Sequence, residues 1–184
     1  MTPTDFFNTV RDAIAKEFLK TAHAGVLEHQ EYHHDGSTST FRLKASAPHV
    51  AFTLDPASKK NPFSILAPGF NARNDLTVVC LDNRGRPLVF IIECKNSSSA
   101  GNAQHQIECG MAFCKYLFNL LRFGHGQIVE PRLFGVVAYR PKSSPKGNTR
   151  PCFIKQGQNR ILRADWAVHV ELPLLELIRA SADI

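Results

Sequence analysis

Asp75, Glu93 and Lys95 are the residues of this chain whose types and spacing point most directly to chemistry. Glu93 and Lys95 close an otherwise apolar run, Leu88-Val89-Phe90-Ile91-Ile92. Side chains alternate along a strand, so Val89, Ile91, Glu93 and Lys95 share one face, and Leu88, Phe90, Ile92 and Cys94 the other. Both faces are apolar, which predicts a central strand covered on both sides. An acid and an amine there are costly unless paired or bound to a metal. They form either a structural ion pair or a site.

Residues 75–82 read as the preceding strand and 83–87 as a turn containing Asn83, Gly85 and Pro87, so 75–95 is a hairpin. In an antiparallel pair the start of the first strand lies opposite the end of the second. Asp75 therefore comes next to Glu93 and Lys95. Two neighbouring carboxylates hinder each other's ionisation unless a cation lies between them. Mg²⁺, or Mn²⁺ in its place, suits such a pair, because Mg²⁺ takes hard oxygen ligands and keeps waters for a phosphate substrate. Lys95 could position or deprotonate a water, or hold a phosphate oxygen.

Other candidates read differently. Asp82, at the turn end of the hairpin, is a turn residue. His29, His33 and His34 stand among Glu28, Glu31 and Asp35, but their spacing matches no zinc pattern. Residues 28–48 read as an exposed polar loop with one strand at 39–44. Cys94 points away from Glu93 and Lys95, while His105 precedes Cys109 by one helical turn. The five cysteines read as reduced thiols of a protein that works in a cytosol.

The elements that position these groups follow from periodicity. Residues 5–22 read as an amphipathic helix with Thr4 as N-cap and Phe7, Val10, Ile14 and Phe18 on its apolar face. Glu17 lies beside that face, as a rim residue or as a carboxylate pointing into a site. Residues 49–54 and 61–66 are short strands or turns. Residues 102–123 form a helix whose face carries Ile107, Met111, Cys114, Leu117 and Leu121, ended by Gly124 and Gly126. Residues 132–139 are a buried strand, 152–154 and 160–162 pair as short strands, and 173–182 form a closing helix. The sum is one mixed α/β domain, a small sheet with helices on both sides. Its core covers residues 5–140, and 141–184 supply a basic loop and a β/α extension.

Asp75 followed by Glu93-Cys94-Lys95 resembles the PD-(D/E)xK nuclease superfamily, which includes restriction endonucleases. Asn74 stands where the name-giving motif has proline. The resemblance implies a restriction-endonuclease-like αβββαβ core. It implies that Asp75 and Glu93 bind the metal with the backbone carbonyl of Cys94, and that Lys95 organises the attacking water. In some branches an acid of the first helix completes the metal site, a part open to Glu17. Several branches place a glutamine on the helix after the lysine. Of Gln104 and Gln106, Gln106 is the choice, four residues before Gly110, where backbone approach is easy; the alternative is a glutamine facing water. Tyr116 is ten residues on, so the Gln-x-x-x-Tyr pattern of some branches is absent.

Charge points the same way. The chain carries 22 Lys and Arg against 16 Asp and Glu, a net charge of +6. Residues 131–164 hold eight cations and no acid: Arg132, Arg140, Lys142, Lys146, Arg150, Lys155, Arg160 and Arg163. Arg140, Lys142, Lys146, Arg150 and Lys155 are the expected contacts to a phosphate backbone; a solvated basic loop is the other reading. The composition excludes a collagen, a coiled coil or a wholly disordered chain. No apolar run reaches membrane-spanning length, and the N-terminal residues do not form a signal peptide. The expected protein is cytoplasmic or delivered into a target cell's cytosol, works on nucleic acid rather than membrane, and could act as a homodimer or in a larger complex. The expected activity is Mg²⁺- or Mn²⁺-dependent phosphodiester hydrolysis, with DNA favoured by the resemblance. The alternative is a catalytically inactive nucleic-acid-binding or protein-interaction module on the same fold.

Overall fold

The computed structural model describes residues 1–32, 38–56, 72–95, 103–126, 128–139, 161–165 and 171–182. In chain order these form α1 (Pro3–Asp12), a 3-10 turn (Lys16–Phe18), β1 (Leu19–Lys20), β2 (Val26–Tyr32), β3 (Thr38–Lys44) and β4 (His49–Phe52). Then come β5 (Leu76–Leu81), β6 (Pro87–Lys95), α2 (Ala103–His125), β7 (Arg132–Tyr139), β8 (Ile161–Asp165), β9 (Leu172–Pro173) and α3 (Leu174–Ala182). A six-stranded sheet has the order β1-β4-β5-β6-β7-β8, and a three-stranded sheet the order β2-β3-β9. Both are mixed. In the larger sheet β1, β4, β5 and β6 pair antiparallel, whereas β7 and β8 continue from β6 in parallel.

The β5–β6 hairpin is the centre of the molecule, as its two apolar faces predict. Its turn is closed by Asp82, whose Oδ1 accepts from the backbone N–H groups of Arg84 and Arg86, both at 2.8 Å. Gly85 sits at φ +74°, a left-handed conformation that suits glycine. On one face Val89 and Ile91 pack with Phe6, Phe7 and Val10 of α1 and with Ile107, Cys114, Leu117 and Leu121 of α2. On the other, Leu88, Phe90, Ile92 and Cys94 pack with Leu27, Phe41 and Leu43 of the small sheet and with Leu174 and Leu177 of α3. A parallel β6–β7 pair needs a long crossover, which α2 supplies. No helix among the described residues is long and apolar enough to cross a membrane.

Several boundaries differ from the periodicity. The first helix runs over Pro3–Asp12, not 5–22, and Thr2 rather than Thr4 caps it in a capping box with Asp5. Ile14 is buried as expected, but the chain has left the helix and Phe18 ends the 3-10 turn. There the Phe18 carbonyl accepts from Thr53 N–H and Leu19 pairs with Phe52, so strand pairing prevails over helical spacing. Within 28–48, residues 28–32 and 38–44 are strand rather than exposed loop. β2 and β3 form a seven-pair hairpin with Leu27, Phe41 and Leu43 turned inward and a Glu28–Arg42 ion pair at 2.9 Å outside. Gly124 lies inside α2; Gly126, at φ +67°, ends it by donating to the Arg122 carbonyl at 2.8 Å. β8 covers 161–165 and pairs with β7. Residues 61–66 and 152–154 lie outside the described residues.

Candidate active site

The β5–β6 ladder ends at the pair Leu76–Ile92, and one step further Asp75 stands level with Glu93. Asp75 turns its carboxylate to the ladder's edge, where Oδ2 accepts from Cys94 N–H at 2.7 Å. A residue's N–H and C=O leave a strand on the same side. The Cys94 carbonyl therefore leaves β6 on the β5 side as well. Glu93 lies on the α2 side of β6 and is 1% exposed. Lys95 Nζ donates to Glu93 Oε1 at 2.6 Å and to Gln106 Oε1 at 3.0 Å. Gln106 Nε2 donates in turn to the Arg73 carbonyl at 3.0 Å, and Arg73 pairs with Asp55 at 3.0 Å.

Gly110 lets α2 come this close. A Cβ there would stand 2.6 Å from Asn74 Oδ1 and 2.7 Å from Ile91 Cγ2. Asn74, the residue before Asp75, is fully buried and donates from Nδ2 to Thr77 Oγ1 at 3.0 Å.

Burial pushes the Glu93 carboxyl up to about 8; the Asp75 charge adds to the rise, and the hydrogen bond and charge of Lys95, with the Asp75 backbone N–H, oppose it. The buried side-chain polar atoms without a hydrogen-bond partner, among the described residues, are Glu93 Oε2, Asn74 Oδ1 and His29 Nδ1. All three belong to residues around Asp75: one level with it, one adjacent in sequence, one in contact. A buried acceptor oxygen left over beside a second carboxylate is a fit for a divalent cation. No three His, Cys, Asp or Glu side chains converge among the described residues. The protein thus offers two carboxylates, with the Cys94 carbonyl on the same side of β6 as the Asp75 contact, the kind of sparse oxygen set Mg²⁺ accepts while keeping waters.

The other candidates separate clearly. Gln104 is exposed and bonds Glu108 at 2.9 Å, whereas Gln106 reaches the lysine. Glu17 is exposed on the 3-10 turn before β1, with β4 between that strand and β5, and among the described residues no cluster of three ligating side chains includes it. Burial raises the Asp82 carboxyl, but the Arg86 and Arg84 amides and the Arg86 side chain outweigh it and hold it low, which fits a turn residue. The Cys109 thiol lies 3.9 Å from His105 Nε2, but burial and the Glu108 charge push it up, away from a reactive thiolate.

Arg140, Lys142, Lys146, Arg150 and Lys155 lie outside the described residues. Tyr139 ends β7 in register with Lys95, so the chain leads into the basic stretch from the site's end of the sheet. Arg132 has a structural position: Nη2 donates to the Ser181 carbonyl at 2.9 Å, and its guanidinium lies 5.2 Å from the Phe134 ring centroid. A cavity of about 330 Å³ lies under the C-terminal half of α2, lined by Lys115, Phe118, Arg122, Ile128 and Leu133 among others, with none of the site residues in its wall. An ion held by two carboxylates needs no chamber of that size.

His29 is the site residue the sequence reading misses. It lies on β2, is 7% exposed, and places Nε2 at 3.4 Å from Asp75 Oδ1. The available signal was the alternation of Leu27 and His29 against Phe41 and Leu43, a period of two that identifies a strand and its inward face. No known protein family, curated protein or solved structure matches the chain.

Proposed function

We propose that this chain is a metal-dependent nuclease built on the PD-(D/E)xK plan, hydrolysing phosphodiester bonds of nucleic acid, with DNA preferred to RNA. One observation carries the reading: a buried, partnerless oxygen of Glu93 beside the Asp75 carboxylate, with Lys95 fixed between Glu93 and Gln106. The element order supports it. α1, the β4–β5–β6 meander, α2 and the parallel β7 follow an αβββαβ sequence, with the short edge strand β1 and the β2–β3 hairpin between α1 and β4.

Asp75 and Glu93 would hold Mg²⁺ or Mn²⁺ with the Cys94 carbonyl. Such an ion supplies Lewis-acid polarisation of the phosphate and a more acidic bound water. Lys95 would present its ammonium to the water or to a phosphate oxygen and offset the negative charge that develops there. Gln106 keeps that ammonium aimed, because its amide is itself anchored on the Arg73 carbonyl.

The 2.6 Å Lys95–Glu93 contact and the enclosure of Glu93 favour a second reading, an inactive nucleic-acid-binding or protein-interaction module with a structural ion pair. Incubation with plasmid, linear single-stranded DNA and RNA, each with Mg²⁺, Mn²⁺ or EDTA, separates the two. Metal-dependent cleavage that Glu93→Gln and Lys95→Ala abolish while binding persists supports the nuclease. Absence of cleavage with every metal, or cleavage undiminished in both variants, overturns it.

A further inference from the structure

We propose that His29 is a positioning residue for Asp75 that fixes the carboxylate for a divalent cation, a role that rests on the metal-dependent reading above. The two residues come from different sheets. Leu27, Phe41 and Leu43 pack the β2–β3 hairpin onto the face of the large sheet opposite α2. His29 follows Leu27 by two residues, on the same side, with the buried Phe41 as its cross-strand neighbour. The hairpin therefore carries an imidazole to the N-terminal end of β5, which Asp75 immediately precedes.

Asp75 then has a contact at each oxygen: Oδ1 lies 3.4 Å from His29 Nε2, an ion-pair distance, and Oδ2 accepts from Cys94 N–H at 2.7 Å. One contact comes from each sheet, so rotation of the carboxylate would have to break one or the other. An ionised carboxylate oxygen has two lone pairs, and each oxygen keeps one for a further partner. With Nε2–H directed at Asp75, the other ring nitrogen, Nδ1, is an acceptor, and it is buried without a partner. An imidazole kept purely for packing would be replaced at a gain by an apolar side chain beside Leu27 and Phe41, since a buried partnerless acceptor is destabilising. Histidine at that place is accounted for by its donor. Partners that orient metal-ligating groups from behind typically alter metal affinity about 10–100-fold when removed.

The test is calorimetric titration of the whole chain with Mn²⁺ and with Mg²⁺ in the absence of nucleic acid, beside circular dichroism and thermal unfolding. His29→Leu keeps apolar volume and loses the donor. His29→Gln keeps an amide N–H at comparable reach. The expected result is one ion bound by wild type, affinity lowered about 10–100-fold in the leucine variant, and most of it restored by glutamine. If the leucine variant does not fold, His29→Asn, whose amide is one methylene too short, carries the same expectation. Folded variants without the donor that bind as tightly as wild type overturn the role of His29 and leave the nuclease reading standing. A wild-type chain that binds neither ion overturns both.

Discussion

Glu93 titrates in the wrong range for an ordinary surface carboxylate, and the direction has a measurable consequence. Its value rises from 4.5 to about 8 because burial and Asp75 oppose ionisation more than Lys95 favours it. The folded chain thus holds this proton more tightly than the unfolded chain. The stabilisation is complete below about pH 4.5 and is lost as pH climbs through about 8, by up to about 1.4 kcal/mol per pH unit. Urea unfolding of the metal-free protein should show stability falling across that window, and Glu93→Gln should remove this contribution. Millimolar Mg²⁺ should reduce the loss, because ion binding favours the ionised form. The neighbourhood of Asp75 and Glu93 was legible in the sequence because it depends on strand alternation and hairpin register, both local. The choice of Gln106 over Gln104 was legible from its offset to Gly110. His29 was not, since its contact joins two hairpins of different sheets and no local spacing encodes that.

At the level of elements, the position of α2 decides whether Gln106 reaches Lys95. Gly110 sets that position through its approach to Asn74 and Ile91. Gly110→Ala should destabilise the fold by about 1–3 kcal/mol, the usual range for overpacking, and displace Gln106 one turn away. Gly124, also within α2, has open space around its would-be Cβ. Gly124→Ala should instead stabilise by up to about 1 kcal/mol, since alanine is the better helix former. Chemical denaturation of the two variants side by side checks both signs. The β5–β6 hairpin, α2, β7 and α3 could be read from the sequence, because their apolar patterns coincide with their tertiary environment. α1 was read too long because Ile14 and Phe18 keep helical spacing while serving a buried turn and an edge strand. The β2–β3 hairpin was hidden by its polar outer face, where Glu28 and Arg42 pair across the strands.

On the scale of the whole molecule, the charge is uneven, and its concentration within residues 131–164 leads to a binding prediction. Removing one cation that touches a phosphate of duplex DNA reduces the slope of log affinity against log salt by about 0.9. Neutralising Lys142 and Lys146 together should therefore flatten that slope by about 1.8 for double-stranded DNA, read by fluorescence anisotropy. An unchanged slope would assign those lysines to solvent. Arg132 shows why the number of basic residues was not a map of where phosphate sits: it ties β7 to the end of α3. The sheet as a whole is sealed by the two clusters on its faces, whereas Cys94 N–H is held by a side-chain carboxylate rather than by another strand. One backbone resonance in a heteronuclear spectrum thus reports on Asp75 itself. Any ion that engages that carboxylate should register as a shift of the Cys94 amide peak, without substrate or turnover.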